Sequence, residues 1–123
     1  MKLRLHGNSV RLRLTPSEVE RLRNVGLVEQ LVEFGAGKAL TYRLQTGLEQ
    51  GSVEVTFDQC VVTVSVSKET AQGWAGSDEV GIYAQSGVLT ISIEKDFRCL
   101  TGRSEAEDRD AFPHPGQTSH TSV

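Results

Sequence analysis

Cysteine is scarce in this chain, with Cys60 and Cys99 the two among 123 residues. They are too few and too far apart for a disulfide framework, so both are expected to be free thiols in a reducing compartment. The three histidines, His6, His114 and His120, are scattered as well, and with the cysteines they show no metal-ligand spacing, which argues against a structural zinc site. Aromatic residues make up 6%, and none is interleaved with the basic N-terminal stretch, so nucleic acid is not an expected partner. No apolar run is long enough to span a bilayer, and the start lacks the continuous apolar stretch of a signal peptide. A membrane is therefore not an expected partner, and the expected location is the cytoplasm. Catalytic motifs are absent too. Gly35-Ala36-Gly37-Lys38 lacks the full glycine spacing and the Lys-Ser/Thr pair of a phosphate loop, and reads as a hairpin turn. Ser17 has no histidine near it in sequence, and no residue is assigned a catalytic role.

What is present is an internal echo. Leu3-Arg4-Leu5-His6-Gly7-Asn8-Ser9-Val10-Arg11-Leu12-Arg13-Leu14-Thr15 set above Val55-Thr56-Phe57-Asp58-Gln59-Cys60-Val61-Val62-Thr63-Val64-Ser65-Val66-Ser67 aligns both the apolar alternation and a helix start at an offset of 52. The offset continues through Val19 over Ala71, Leu22 over Trp74 and Val28 over Val80. It then slips by a few residues, so that Ala39-Leu40-Thr41-Tyr42 meets Val88-Leu89-Thr90-Ile91. Self-similarity of this kind reports architecture, and Trp74, standing where the first copy has Leu22, is expected to be a core residue.

Residues 2 to 14 predict a hairpin, with Leu3, Leu5, Val10, Leu12 and Leu14 alternating against Lys2, Arg4, His6, Arg11 and Arg13 around the two-residue turn Gly7-Asn8. Thr15-Pro16-Ser17-Glu18 then opens a helix as N-cap, first-turn proline and capping-box partner. A second hairpin is expected from 27 to 34 and 39 to 46. After a seam at Gly47 to Gly51 the order repeats, with strands near 52 to 58 and 60 to 67, a helix from Ser67 to Ala75, and strands near 79 to 85 and 88 to 96. The predicted fold is α+β and strand-dominated: two ββαββ units (1–46 and 52–96) in one domain of residues 1–100, about eight antiparallel strands in a curled sheet or barrel, and two helices. The acidic, polar stretch 101–123 is expected to be a disordered tail, with Phe112 its large apolar group.

The net charge of −3, from 13 basic and 16 acidic residues, hides a basic front and an acidic tail. With Gly7-Asn8 as the turn, Arg4 lies opposite Arg11 and Lys2 opposite Arg13, and directly opposed like charges destabilise a hairpin. One resolution is an anionic ligand, because the guanidinium fork matches phosphate and carboxylate geometry. The candidate ligand-binding residues are Arg4, Arg11, Arg13 and Arg43. The other resolution is neutralisation by Glu29, Glu33, Glu54 or Glu94. An enzyme reading would recruit Glu54, Glu94 and Asp96 as ligands for a divalent cation such as magnesium, since hard cations take oxygen donors. Without catalysis or ligand, the domain would be a protein-interaction module whose partner the residues do not specify.

Two resemblances add to this reading. Met1-Lys2-Leu3-Arg4 with Gly7-Asn8-Ser9, Arg11-Leu12-Arg13-Leu14 and Ser17-Glu18-Val19 resembles the opening of a family of small bacterial proteins with no assigned function. Glu94-Lys95-Asp96-Phe97, Cys99-Leu100 and Asp110-Ala111-Phe112-Pro113 resemble its closing segments, and that likeness brings no functional residues with it. The layout of repeated strand-strand-helix-strand-strand units is similar to the triphosphate tunnel fold, whose barrel implies phosphohydrolase or phosphotransfer chemistry with arginines, lysines and metal-binding glutamates. Where that family's first strand carries Glu-x-Glu-x-Lys, this chain has Lys2-Leu3-Arg4-Leu5-His6, which puts metal-dependent hydrolysis in doubt.

Overall fold

The computed structural model of the protein describes residues 1–49, 51–97 and 112. Its elements run β1 (Lys2–His6), β2 (Ser9–Leu14), α1 (Pro16–Val25), β3 (Leu27–Gly35), β4 (Lys38–Leu48), β5 (Val53–Asp58), β6 (Val61–Ser67), α2 (Lys68–Ala75), β7 (Gly81–Ser86) and β8 (Leu89–Lys95). Each hairpin closes through a two-residue turn: Gly7-Asn8, Ala36-Gly37, Gln59-Cys60 and Gly87-Val88. The turn Gln59-Cys60 holds two non-glycine residues at φ +50° and +62°, so its sequence carries none of the usual hairpin-turn signal.

The eight strands divide into two four-stranded sheets, a first of order β1-β2-β8-β7 and a second of order β3-β4-β6-β5. The expected eight strands and two helices are present, but among the described residues no closed barrel forms and the strands are not all antiparallel. The middle of each sheet is a parallel pair, β2 with β8 and β4 with β6. The cause is the helix in each half. A ten-residue helix advances the chain by about 15 Å, and α1 carries it from the first sheet to the second, while α2 carries it back. A half therefore cannot pair its own two hairpins, and each hairpin completes its sheet with one from the other half.

The register preserves the sequence echo. Leu3 pairs with Leu12 as Val55 pairs with Val64, and Leu12 pairs with Ile93 as Val64 pairs with Leu44. One correspondence moves: Val28 pairs with Leu44 as Ile82 pairs with Ile93, so the counterpart of Val28 is Ile82 and not Val80. The chain spends Ser77–Val80 outside a strand because α2 is shorter than α1 and Trp74 holds this segment down, its indole N–H donating to the Val80 carbonyl at 3.2 Å. The inward positions of both sheets meet in one core with Val19 and Leu22 of α1 and Ala71 and Trp74 of α2. Leu12, Leu14, Leu44, Val64, Val66, Ile91 and Ile93 are completely enclosed within it. No helix among the described residues is long and apolar enough to cross a membrane. The tail expected to be disordered lies outside the described residues apart from Phe112.

Both helices start as the residues dictate. Thr15 and Ser67 are N-caps, and Glu18 completes a capping box, the Thr15 backbone N–H donating to its Oε1 at 2.9 Å. The Met1 ammonium donates to the other oxygen of Glu18. Burial pushes this carboxyl up, but the ammonium, its hydrogen bond and those of Thr15 outweigh burial and hold the pKa below the ordinary carboxylate value. A depressed carboxylate stabilises the fold above its unfolded pKa, and that contribution disappears as pH falls through the folded value. Glu18→Gln should therefore lower the melting temperature at neutral pH, and the gap to the parent should close as a melting series is taken down through the carboxylate range.

Two glycines predict opposite signs in chemical denaturation. Gly73 lies exposed inside α2 with open space where a Cβ would stand, and glycine in a helix interior costs about 0.5–1 kcal/mol relative to alanine. Gly73→Ala should raise unfolding free energy by about that amount. Gly26 ends α1 at φ +83°, and a Cβ there would stand 2.8 Å from Thr46 Oγ1. Gly26→Ala should cost about 1 kcal/mol or more.

Candidate functional site

Strand alternation sends every second residue of the first sheet away from the core. On that outer face Lys2, Arg4 and His6 come from β1, Ser9, Arg11 and Arg13 from β2, Thr90, Ser92 and Glu94 from β8, and Gly81, Tyr83 and Gln85 from β7. The register sets them in rows across the sheet: Lys2–Arg13–Glu94–Gly81, Arg4–Arg11–Ser92–Tyr83 and His6–Ser9–Thr90–Gln85. The expected oppositions of Arg4 with Arg11 and Lys2 with Arg13 are present. Together these four cations line a recess of ≈ 160 Å³.

Two carboxylates answer them. Glu94 Oε1 lies 3.5 Å from Nε of both Arg11 and Arg13, and its Oε2 accepts a hydrogen bond from the Tyr83 hydroxyl at 2.9 Å. That hydrogen bond, with some burial and the Glu94 charge, pushes the Tyr83 hydroxyl above its ordinary pKa, against the lowering effect of Arg11. Lys2 Nζ is 3.2 Å from Asp96 Oδ2 at the end of β8. Among the described residues Arg4 has no ion-pair partner, and four cations face two carboxylates.

The remaining sequence candidates fall elsewhere. Arg43 is on the outer face of the second sheet, with Nη2 2.8 Å from Glu29 and its Nε buried without a partner among the described residues. It does not join the hairpin arginines. Glu29, Glu33 and Glu54 are also on the second sheet, so of the carboxylates expected to neutralise the hairpin only Glu94 does so. Asp96 takes the role expected of the others. The metal set is likewise divided, with Glu54 on β5 and Glu94 and Asp96 at the far sheet. Among the described residues no three histidines, cysteines or carboxylates are grouped to hold a metal ion. Cys60 is an exposed free thiol in a turn, while Cys99, His114 and His120 lie outside the described residues.

Tyr83 belongs to this face and was not among the expected residues. Alternation within Gly81-Ile82-Tyr83-Ala84-Gln85 marks it as outward-facing. Its place beside Glu94 follows from the β7–β8 hairpin, but its place beside the arginines needed the parallel β2–β8 pairing, which alternation does not encode. A larger recess of ≈ 260 Å³ is bounded by Leu14, Pro16, Val19, Ala75, Lys95 and Phe97. Lys95 is committed nearby, its ammonium donating to Ser77 O at 2.6 Å and standing 5.7 Å from the centre of a Trp74 ring.

No curated protein and no solved structure matches the chain. A family model does match residues 1–116, which takes in both halves and most of the acidic tail, and the chain belongs to that family, the family of unknown function DUF7009.

Proposed function

We propose that this protein is a binding module for a small phosphorylated or otherwise anionic ligand, held on the outer face of the β1-β2-β8-β7 sheet by Arg4, Arg11 and Arg13 with Lys2. The observation that carries the reading is internal to the fold. The position pair occupied by Arg4 and Arg11 in the first half is occupied in the second by Thr56 and Thr63, which pair in the same register. The same architecture therefore accommodates a neutral pair at this place. The hairpin therefore does not require this arginine pair, and directly opposed like charges oppose its stability. A phosphate-type oxyanion in the recess removes that repulsion and accepts the charge-assisted hydrogen bonds a guanidinium is shaped to give. Binding is favoured over hydrolysis because Glu94 is already engaged by Arg11, Arg13 and Tyr83, and Glu54 is on the other sheet. The setting we propose is the cytoplasm, where a reducing environment keeps an exposed thiol such as Cys60 free.

Thermal-shift titration with phosphate, pyrophosphate and triphosphate, with and without magnesium, tests the reading. A ligand binding only the folded state stabilises it by about 2.7 kcal/mol at 100 times its dissociation constant. The parent should show a rising midpoint with a polyphosphate, and Arg4→Gln with Arg11→Gln should abolish the rise. Without ligand, Arg4→Gln alone should raise stability by roughly a few tenths of a kcal/mol, because it relieves repulsion and strands no carboxylate. Glu94→Gln should do the reverse: lower the midpoint of the free protein and strengthen its response to the anion. A midpoint indifferent to every anion, with Arg4→Gln destabilising, would retire the proposal.

A further inference from the structure

The duplication gives the chain two outer sheet faces of the same construction and opposite charge. On the second sheet the outward residues include Glu29 and Glu33 from β3 and Glu54 and Asp58 from β5, all exposed, against Arg43. On the first they include Lys2, Arg4, Arg11 and Arg13 against Glu94, with Asp96 just beyond the strand. The sign reverses at one matched place, where Lys2 of β1 corresponds to Glu54 of β5 at the offset of 52. At two others a carboxylate stands where the first sheet is neutral: Asp58 for His6 and Glu29 for Tyr83, the latter through the paired registers. The two inner faces share one core, so the basic and acidic faces look out in opposite directions from the same molecule.

We infer that the protein associates with itself head to tail, the basic face of the β1-β2-β8-β7 sheet in one copy lying on the acidic face of the β3-β4-β6-β5 sheet in the next. The occupant is a second copy because the complementary surface is built by the same chain, with the same strand order and the same register. Excess cations on one face, Arg4 among them, meet excess carboxylates on the other, including Glu33, Glu54 and Asp58, none of which has an ion-pair partner among the described residues. The contact is heterologous, so it leaves one face of each sign free at the ends and extends beyond a dimer. Four strands by six residues cover about 400 Å² in plan at ordinary strand spacing and rise. A contact of that size is at the small, transient end of specific interfaces, and a contact made of exposed charges weakens as salt screens it. The inference shares the basic face with the anion reading but does not depend on a small ligand.

Sedimentation analysis of the full chain across a concentration series, at low and at high salt, tests it with two charge-reversed variants. Lys2→Glu with Arg4→Glu reverses the basic face, and Glu54→Lys with Asp58→Lys reverses the acidic one. All four side chains are exposed, and a melt of each variant checks that it folds; Lys2→Gln with Arg4→Gln replaces the first variant if it does not. At low salt the parent's average mass should climb past a dimer with concentration and return to the monomer at high salt. Each variant alone should remain monomeric. Their mixture should regain association, because it brings the unchanged basic face of one variant to the unchanged acidic face of the other. A parent monomeric throughout at low salt, variants that still associate alone, or a mixture that stays monomeric would each overturn the inference. The anion reading is judged separately, on the pyrophosphate response of Glu54→Gln with Asp58→Asn, which leaves the basic face intact and adds no cation to the other: a parent that self-associates while this variant ignores pyrophosphate retains this inference and loses the other.

Discussion

Parallel pairing across the two halves is the constraint on which the rest of the structure depends. Leu12 beside Ile93 and Leu44 beside Val64 are buried at the centre of their sheets, and each pair joins a strand of one half to a strand of the other. Without them each sheet would fall into two separate two-stranded hairpins, and an isolated hairpin is marginal in water. The helices make that pairing possible. A chain leaving β2 must reach the opposite sheet before it can pair again, and α1 spans that distance while turning Val19 and Leu22 into the gap between sheets. The halves are thus interlocked as well as repeated, and neither contains a complete sheet.

Interlocking explains why the two copies remain alike inside and differ outside. An inward residue packs against partners from both halves, so a change in one copy has to be balanced by a change near it. The helix pair shows such a balance: where the second half carries the larger Trp74 in place of Leu22, it carries the smaller Ala71 in place of Val19, and all four are buried. Close packing makes volume a shared quantity in this way. Outward residues have no such bond to their counterparts. Thr56 and Thr63 on one sheet and Arg4 and Arg11 on the other are equally compatible with the backbone, and charge was free to diverge where volume was not.

The same division sets what could be read from residues alone. Alternation and capping are local, so β1, β2, α1 and the start of α2 are legible, as is the Arg4–Arg11 opposition that a two-residue turn enforces. The partition into two sheets was not, because a period of two marks which side of a strand is buried and is silent on which strand lies beside it. That silence led to the expectation of antiparallel strands in one curled sheet or barrel, and it also grouped Arg43 with the hairpin arginines and Glu54 with Glu94. Gln59-Cys60 escaped because neither residue favours the left-handed region both occupy, and the turn is imposed by β5 and β6 around it. Val80 was placed in a strand by its apolar side chain, whereas its backbone carbonyl is held by Trp74, a contact that only the folded core supplies.

Charge on the basic face is harder to account for by stability than by use. Glu94 bridges Arg11 and Arg13 while accepting from Tyr83, and Asp96 meets Lys2, so the fold satisfies part of the cluster from its own last strand. If the whole arrangement served only to neutralise itself, Arg4 would need a carboxylate of its own. Glu29, Glu33 and Glu54, the other carboxylates expected to supply one, are fixed on the opposite sheet by the same parallel pairs that build the core. Among the described residues, the strand order therefore separates the surplus cations from the surplus carboxylates. Among the described residues nothing on its own sheet pairs with Arg4, and in the two proposals its anion comes from outside that sheet, as a small oxyanion in the recess or as the acidic face of another copy. Both are anions presented to one surface, so if both proposals hold, competition between them would link ligand binding to assembly.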